Sequence, residues 1–512
     1  MKITVDTGTL GVIPDQPDEV LPDGAWTMSR NVRYKDGAAE KIKGYRSVFN
    51  SASATPIWVE PVSDGLTTFW VYGNETRLYA TDGSLHADVS SITYTATGLL
   101  GYTGGAFHGY MVANDAVNPP QVWAPALANK FQQISHWPAS TVVDVIRPFG
   151  DFLVGLRWNE SGTYNARLIR WSDKASAGAM PGSWDYTDPT NQAGRTELGQ
   201  SHDDLVDCLP LRDANIVYKR FHTWIMQYVG GLDVFSFREL FKEAGMLTEN
   251  CAKAFGARHF VVTDSDVVIH DGNDAQSVAD KRLRKWLFNS MSPTRFEYSF
   301  VAADYREREM WFCFPEEGQD FANLAAVWNW LTNSWDIREL GAPMIHASNG
   351  VIEASGVTFD EDPGEFDTGP VGTFDEYDYA PWSQRLLLAP TNIMQLYQGN
   401  STFKWDSKSI PIWAMRTNMA LSKDVGQIKR VSTIYPKIVG AYGATVKFRI
   451  GASEHYDGPI SFQGPFNFVI GTDYKVDCRV SGRFVHLYYE YAGDDQPRLL
   501  GFDLEFHHEG HR

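Results

Sequence analysis

Thr68-Phe-Trp-Val-Tyr72, then Gly73-Asn-Glu-Thr76, then Arg77-Leu-Tyr-Ala80, closed by Thr81-Asp-Gly83, is the stretch that decides the fold. Two short runs of β-branched and aromatic residues flank a turn-forming cluster, and a second turn signal follows at once, so the segment predicts an antiparallel hairpin. The same grammar returns along the chain. Glu309-Met-Trp-Phe-Cys-Phe314 leads through Pro315-Glu-Glu-Gly318 to Leu324–Trp330 and on to Ser334–Arg338. Gly109–Asn114 pairs with Gln121–Trp123, Gly150–Trp158 with Ala166–Trp171, Asn215–Tyr218 with His222–Tyr228, and His259–Val262 with Asp266–His270. Imperfect modules of about 40 to 60 residues, each a few Trp-rich strands, predict β-propeller blades.

Composition agrees with this reading. The 512 residues include 17 Trp, 23 Tyr, 29 Phe, 44 Gly and 25 Pro, a mixture suited to half-buried strands and tight turns. The expected class is all-β, a propeller of about six blades with an additional antiparallel β platform unit and short helical insertions. The helical patches are placed at Arg238–Leu247 and Gln276–Phe288. Period-two alternation in Thr445–Ile450, Arg483–Tyr489 and Leu499–Phe506 marks the platform. The expected division is 1–48 for an N-terminal docking or platform segment, 49–345 for the blades, 346–400 for an acidic aromatic loop region and 401–512 for the C-terminal β unit.

Forty-five Lys and Arg against 63 Asp and Glu leave a formal charge of -18, the wrong sign for gripping phosphates. No run approaches the 18 or so apolar residues of a membrane helix, and no leader-like apolar core follows Met1, so folding in a cytoplasm is expected. Cys208, Cys251, Cys313 and Cys478 stand at least 40 residues apart, without metal-ligand spacing, and read as reduced thiols. No cofactor and no metal site are expected. Asp6-Thr-Gly8 and Asp367-Thr-Gly369 spell the motif of a carboxylate dyad that activates water. Neither copy follows the hydrophobic strand that such a dyad needs, so coincidence is favoured. Asp271-Gly-Asn-Asp274 and Asp360-Glu-Asp362 lack the spacing of a calcium loop and read as solvated turns.

Leu21-Pro-Asp-Gly-Ala-Trp-Thr-Met-Ser-Arg-Asn-Val-Arg-Tyr-Lys-Asp-Gly-Ala-Ala-Glu-Lys-Ile-Lys-Gly-Tyr45 resembles the N-terminal signature of the tail nozzle proteins of short-tailed bacteriophages. Val112–Asp115 ahead of Pro120–Trp123, Arg147–Gly155, Tyr218–Trp224, Val327–Trp330 with Trp335–Arg338, Ile434–Ile438, Ser481–Phe484 and Leu499–Leu504 resemble the same family in the same order. The resemblance implies a non-enzymatic structural protein of the virion, assembled in the host cytoplasm. It further implies a homo-hexameric ring below the adaptor ring of the portal, contacting tail fibres or spikes and a needle or plug. Genomic double-stranded DNA would pass through that ring without adhering. The runner-up is a propeller that binds or hydrolyses host cell-surface glycan, through a carboxylate pair ringed by Trp.

Between Arg338 and Arg385 the chain has no Lys or Arg. Asp360, Glu361, Asp362, Glu365, Asp367, Asp375, Glu376 and Asp378 cluster there. Relatives carry repeated Thr-Trp-Asp units in this segment, where this chain has Thr358-Phe-Asp360, Glu365-Phe-Asp367 and Thr373-Phe-Asp375. These acids are the candidates for lumen- or mouth-facing charge that repels DNA, against plain outward solvation. In the signature segment Trp26, Arg30, Arg33, Tyr34, Lys41 and Tyr45 are the candidates for docking on the adaptor or a neighbouring subunit. The alternative is that Asn31–Gly44 is simply the opening hairpin of the fold, turning at Asp36-Gly37.

Overall fold

The computed structural model describes residues 1–22, 24–96, 101–231, 233–352, 384–422, 424 and 426–510. The Thr68–Gly73 and Leu78–Thr81 strands pair as expected, and the turn between them is held by Asn74, whose Oδ1 accepts from the backbone N–H of Thr76 and Arg77. Trp58–Ser63 and His86–Asp88 complete a four-stranded antiparallel blade. Four more blades follow in strict succession. They begin with the inner strands Thr103–Phe107, Thr141–Phe149, Leu205–Leu211 and Ala252–Phe255.

The sixth and seventh blades share one strand. Ser334–Val351 is the outer strand of the sixth, beside Ala322–Asn329, and then the inner strand of the seventh, beside Gln384–Pro390. It changes blade near Gly341, whose φ is +69 and whose missing side chain makes room for the Trp405 ring; a Cβ there would lie 2.4 Å from that ring. Leu396–Gly399 is the third strand of the seventh blade, and Tyr45–Val48 from the other end of the chain is the fourth. Inner strands of successive blades touch all the way round, and Ser334–Val351 meets Trp58–Ser63 to close the circle. Among the described residues the propeller therefore has seven blades. The sequence suggests about six because the seventh is assembled from distant pieces.

Residues 2–41 and 412–510 build a second unit, a sandwich of two antiparallel sheets. One sheet runs Val476–Gly482, Ile428–Val439, Arg498–Gly510, Ala38–Lys41, Val32–Lys35, with Lys2–Asp6 beside Arg498–Gly510. The other runs Ser461–Val469, Thr445–Ser453, Phe484–Tyr491, Ile412–Met419, Met28–Arg30. Val431, Ile434, Phe448, Leu487, Phe502 and Leu504 fill the space between them. The serial division at 48, 345 and 400 is thus regrouped. Lys2–Asp6, Met28–Arg30, Val32–Lys35 and Ala38–Lys41 join the C-terminal sheets, Gly11–Val12 and Ala25–Trp26 border Trp335 of the sixth blade, and 45–48 and 384–399 belong to the propeller.

Helix is scarce. In the stretch expected to be helical at Arg238–Leu247, residues 238–241 instead end the strand Val234–Phe241, because Phe235 and Phe237 pack beside Trp171, and residues 242–247 are irregular. Within Gln276–Phe288 a strand, Ala275–Ser277, comes first and a single helix, Arg284–Ser290, follows. Among the described residues no helix is long and apolar enough to cross a membrane.

Candidate functional site

The signature segment is the seam between the two units. Val32–Lys35 and Ala38–Lys41 form a hairpin whose turn residues, Asp36 and Gly37, have φ of 51° and 73°, as an Asp-Gly turn requires. Asn31 ties the seam on both sides. Its N–H donates to the carbonyl of Ile337 in the sixth blade, its Nδ2 to the carbonyl of Pro411 and to Glu339, and its Oδ1 accepts from the N–H of Glu339.

The six docking candidates are occupied within the chain. Trp26 is buried, donates to the carbonyl of Thr7 and packs on Tyr489. Tyr34 is buried with its hydroxyl on Ser29, and Lys41 is buried with its ammonium on the carbonyl of Gly493; burial lowers that ammonium to about 8. Tyr45 stacks near Tyr397 in the seventh blade, with ring centroids 4.4 Å apart. Arg30 keeps partial exposure, lying over the Trp286 ring and 3.6 Å from Glu316. Arg33 bonds Glu40 within its own hairpin and Glu307 in the sixth blade, at 2.7 and 3.0 Å.

Arg33 opens a buried ionic network. Glu309, 3.9 Å from Arg33, pairs with Arg338, which also grips Asp336 with two bonds at 2.6 and 2.9 Å. Asn400, just past the third strand of the seventh blade, donates to Asp304 and Glu309. Lys35 adds a bond to Glu307. Acids outnumber cations here, and burial pushes Asp336 and Asp304 above the usual carboxylate range, while Arg33 and Lys35 help hold Glu307 down at about 2. The network joins the signature hairpin, the sixth blade and the closing blade.

The propeller axis is also charged. Arg147 on the third inner strand holds Asp207 on the fourth, and the same guanidinium donates to Asn250 and to the carbonyl of Gly104. Glu60 on the first inner strand accepts from Ser348 on the seventh. Burial, with Lys253 and Arg147 nearby, lowers His346 to about 3, so its ring is neutral. One cavity touches Trp58, Tyr102, Asn250, Ser299 and His346, from five blades and their entering loops, and so lies at the axis; at about 40 Å³ it is of a size for water rather than a larger ligand. An axis this narrow, crossed by a guanidinium, has no room for a nucleic acid strand.

A larger cleft of about 510 Å³ opens on the face where strands enter the axis. It lies between the third and sixth blades and is lined by Tyr164, Asp204, Arg220, Phe221, Phe296 and Glu297 among others. Arg157 closes its floor from a β-bulge with φ of +59, bonding Asp144, Glu249 and the carbonyls of Leu205 and Val206. None of the lining residues is Trp. Trp137, Trp158 and Trp184 pack on one another away from the cleft.

The eight acids from Asp360 to Asp378 lie outside the described residues, as does Asp367 of the second Asp-Thr-Gly. Asp6 of the first ends the edge strand Lys2–Asp6, opposite Gly501. Asp271 forms a hairpin turn, its Oδ1 accepting from the N–H groups of Asn273 and Asp274. The cleft and the axial charges escaped the sequence reading because their residues come from different blades. The Arg147–Gly155 stretch, marked for its resemblance, was the available signal.

No protein-family profile and no curated protein matches the chain. Among solved structures, it is similar to the "AfRom2 CNH domain", at 8% identity over 70% of this chain and 97% of that one, TM-score 0.35. It is also similar to the "WD40 beta propeller domain of Doa1", at 10% identity over 70% and 96%, TM-score 0.38. What stands from the geometry is the fold, a β-propeller with an appended β-sandwich.

Proposed function

We propose that this chain is a structural subunit of a bacteriophage tail, a nozzle protein that assembles as a hexamer below the adaptor ring and surrounds the path of the genome. The observation that carries the reading is the resemblance over Leu21–Tyr45, a stretch that here knits propeller to sandwich. The activity is mechanical. Since the propeller axis is filled by Arg147 and Asp207, the genome's path runs between copies rather than through one. The chain's charge of -18 suits a wall that does not hold phosphates, because a basic wall would release counterions and bind the duplex. Screening confines this effect to roughly 8–10 Å at physiological salt, so it depends on acids that face the lumen. Fibres or spikes and a needle or plug are the remaining partners.

The test is negative-stain imaging and mass measurement of the purified chain, alone and mixed with the adaptor ring of the same virion. A six-fold annulus with an open bore is expected. A monomer that ignores the adaptor, or a bore of positive potential, would sink the proposal.

A further inference from the structure

The cleft between the third and sixth blades has the makings of a docking site, and it stands independently of the nozzle reading. Its mouth is formed by the Arg220-Phe221-His222 tip, which is unusually well braced. The carboxylate of Asp203 accepts from the N–H of Phe221, the N–H of His222 and the His222 ring, and lies 3.2 Å from the buried Lys219 ammonium. Against its burial, Ser201 first, then those bonds and the Lys219 charge, hold Asp203 far below the usual carboxylate range. What the bracing presents is an apolar ring: Phe221 is 47% exposed, and Tyr164 across the cleft is 54% exposed. A side chain of that size held out to water by a fixed loop is pre-organised for a partner.

The charges say which partner. Arg157 is matched by Asp144 and Glu249, and Asp203 by Lys219 and His222. Arg220 donates to the carbonyl of Leu247 and lies over the Phe296 ring. The carboxylates of Asp204 and Glu297 are exposed and make no hydrogen bond or ion pair among the described residues. Exposed aromatic rings beside unmatched acids suit a cation carried on an apolar stem, which can stack on the rings while its charge meets the carboxylates. We infer that this cleft receives an extended segment of a partner protein that presents arginine or lysine side chains between Phe221, Tyr164, Asp204 and Glu297.

The probe is a fluorescein-labelled peptide, Gly-Arg-Gly-Arg-Gly capped at its C-terminus, read by anisotropy against the full chain at two salt concentrations. Saturable binding that weakens with salt is expected. D204N/E297Q should weaken it by about tenfold and F221A by about threefold; all three residues are exposed, so the fold should be untouched. E75Q/E317Q removes the same charge from exposed sites elsewhere and should change binding less than about twofold. Equal losses from the two charge pairs, equal binding of the matching glutamate peptide, or no binding by the wild-type chain would each overturn the assignment.

Discussion

Arg147 donates to both carboxylate oxygens of Asp207, at 2.8 Å each, across the boundary between the third and fourth blades. Both side chains are largely buried, so the pair cannot be broken from one side without leaving an unmatched charge. Arg147→Met should therefore cost about 3–5 kcal/mol, read as a fall in the urea midpoint. Arg147→Met with Asp207→Leu should recover at least half of that loss. A single variant as stable as the wild type would mean that water already satisfies the pair.

Acid should loosen the molecule well before its carboxylates titrate. Burial lowers four imidazoles from 6.5, His259 and His486 to about 4 and His270 and His346 to about 3. The unfolded chain binds their protons first, so their stabilisation is complete above about pH 6.5 and is lost as pH falls toward the folded values. Each ring contributes a slope of up to about 1.4 kcal/mol per pH unit. Asp336 and Asp304 act in the opposite sense, since their raised values let the folded form take protons earlier, but they are two groups against four. Urea midpoints at pH 7.5, 6.5 and 5.5 should fall steeply across the last interval, and His346→Gln should make that fall shallower. A flat profile contradicts the assignment.

Gly341 carries the crossing from the sixth blade to the seventh. Its φ of +69 and the Trp405 ring beside it leave no place for a side chain. Gly341→Val should cost about 2 kcal/mol or more, from backbone strain and the clash together. Unfolding monitored by tryptophan fluorescence checks this. If the variant were neutral, the ring would have another resting place.

The blades were legible because each is local. In Thr68–Ala80 the aromatic runs and the Asn74 turn sit within a dozen residues, and the structure keeps both. The seventh blade was not legible, because Tyr45–Val48 and Leu396–Gly399 are adjacent only after the ring closes. Arg238–Leu247 misled for a related reason. Its charged residues suit a helix surface, yet Phe235 and Phe237 anchor the strand that runs into it from the preceding residues, and tertiary packing overrode local preference. Of the signature residues, the mixture of aromatic and basic types was read as a docking surface for the adaptor or a neighbouring subunit. In the folded chain, the interface those residues make joins its own two units. Nothing in the spacing of Asp204, Phe221 and Glu297 announces a cleft, since Asp204 and Glu297 lie on two different blade connections and Phe221 in a hairpin turn inside the fourth blade.

Because Tyr45–Val48 waits for Leu396–Gly399, a ribosome must deliver some 350 further residues before the circle can shut. Until then the early blades present an unsealed flank in the cell. Growing chains should therefore lean on chaperones during synthesis.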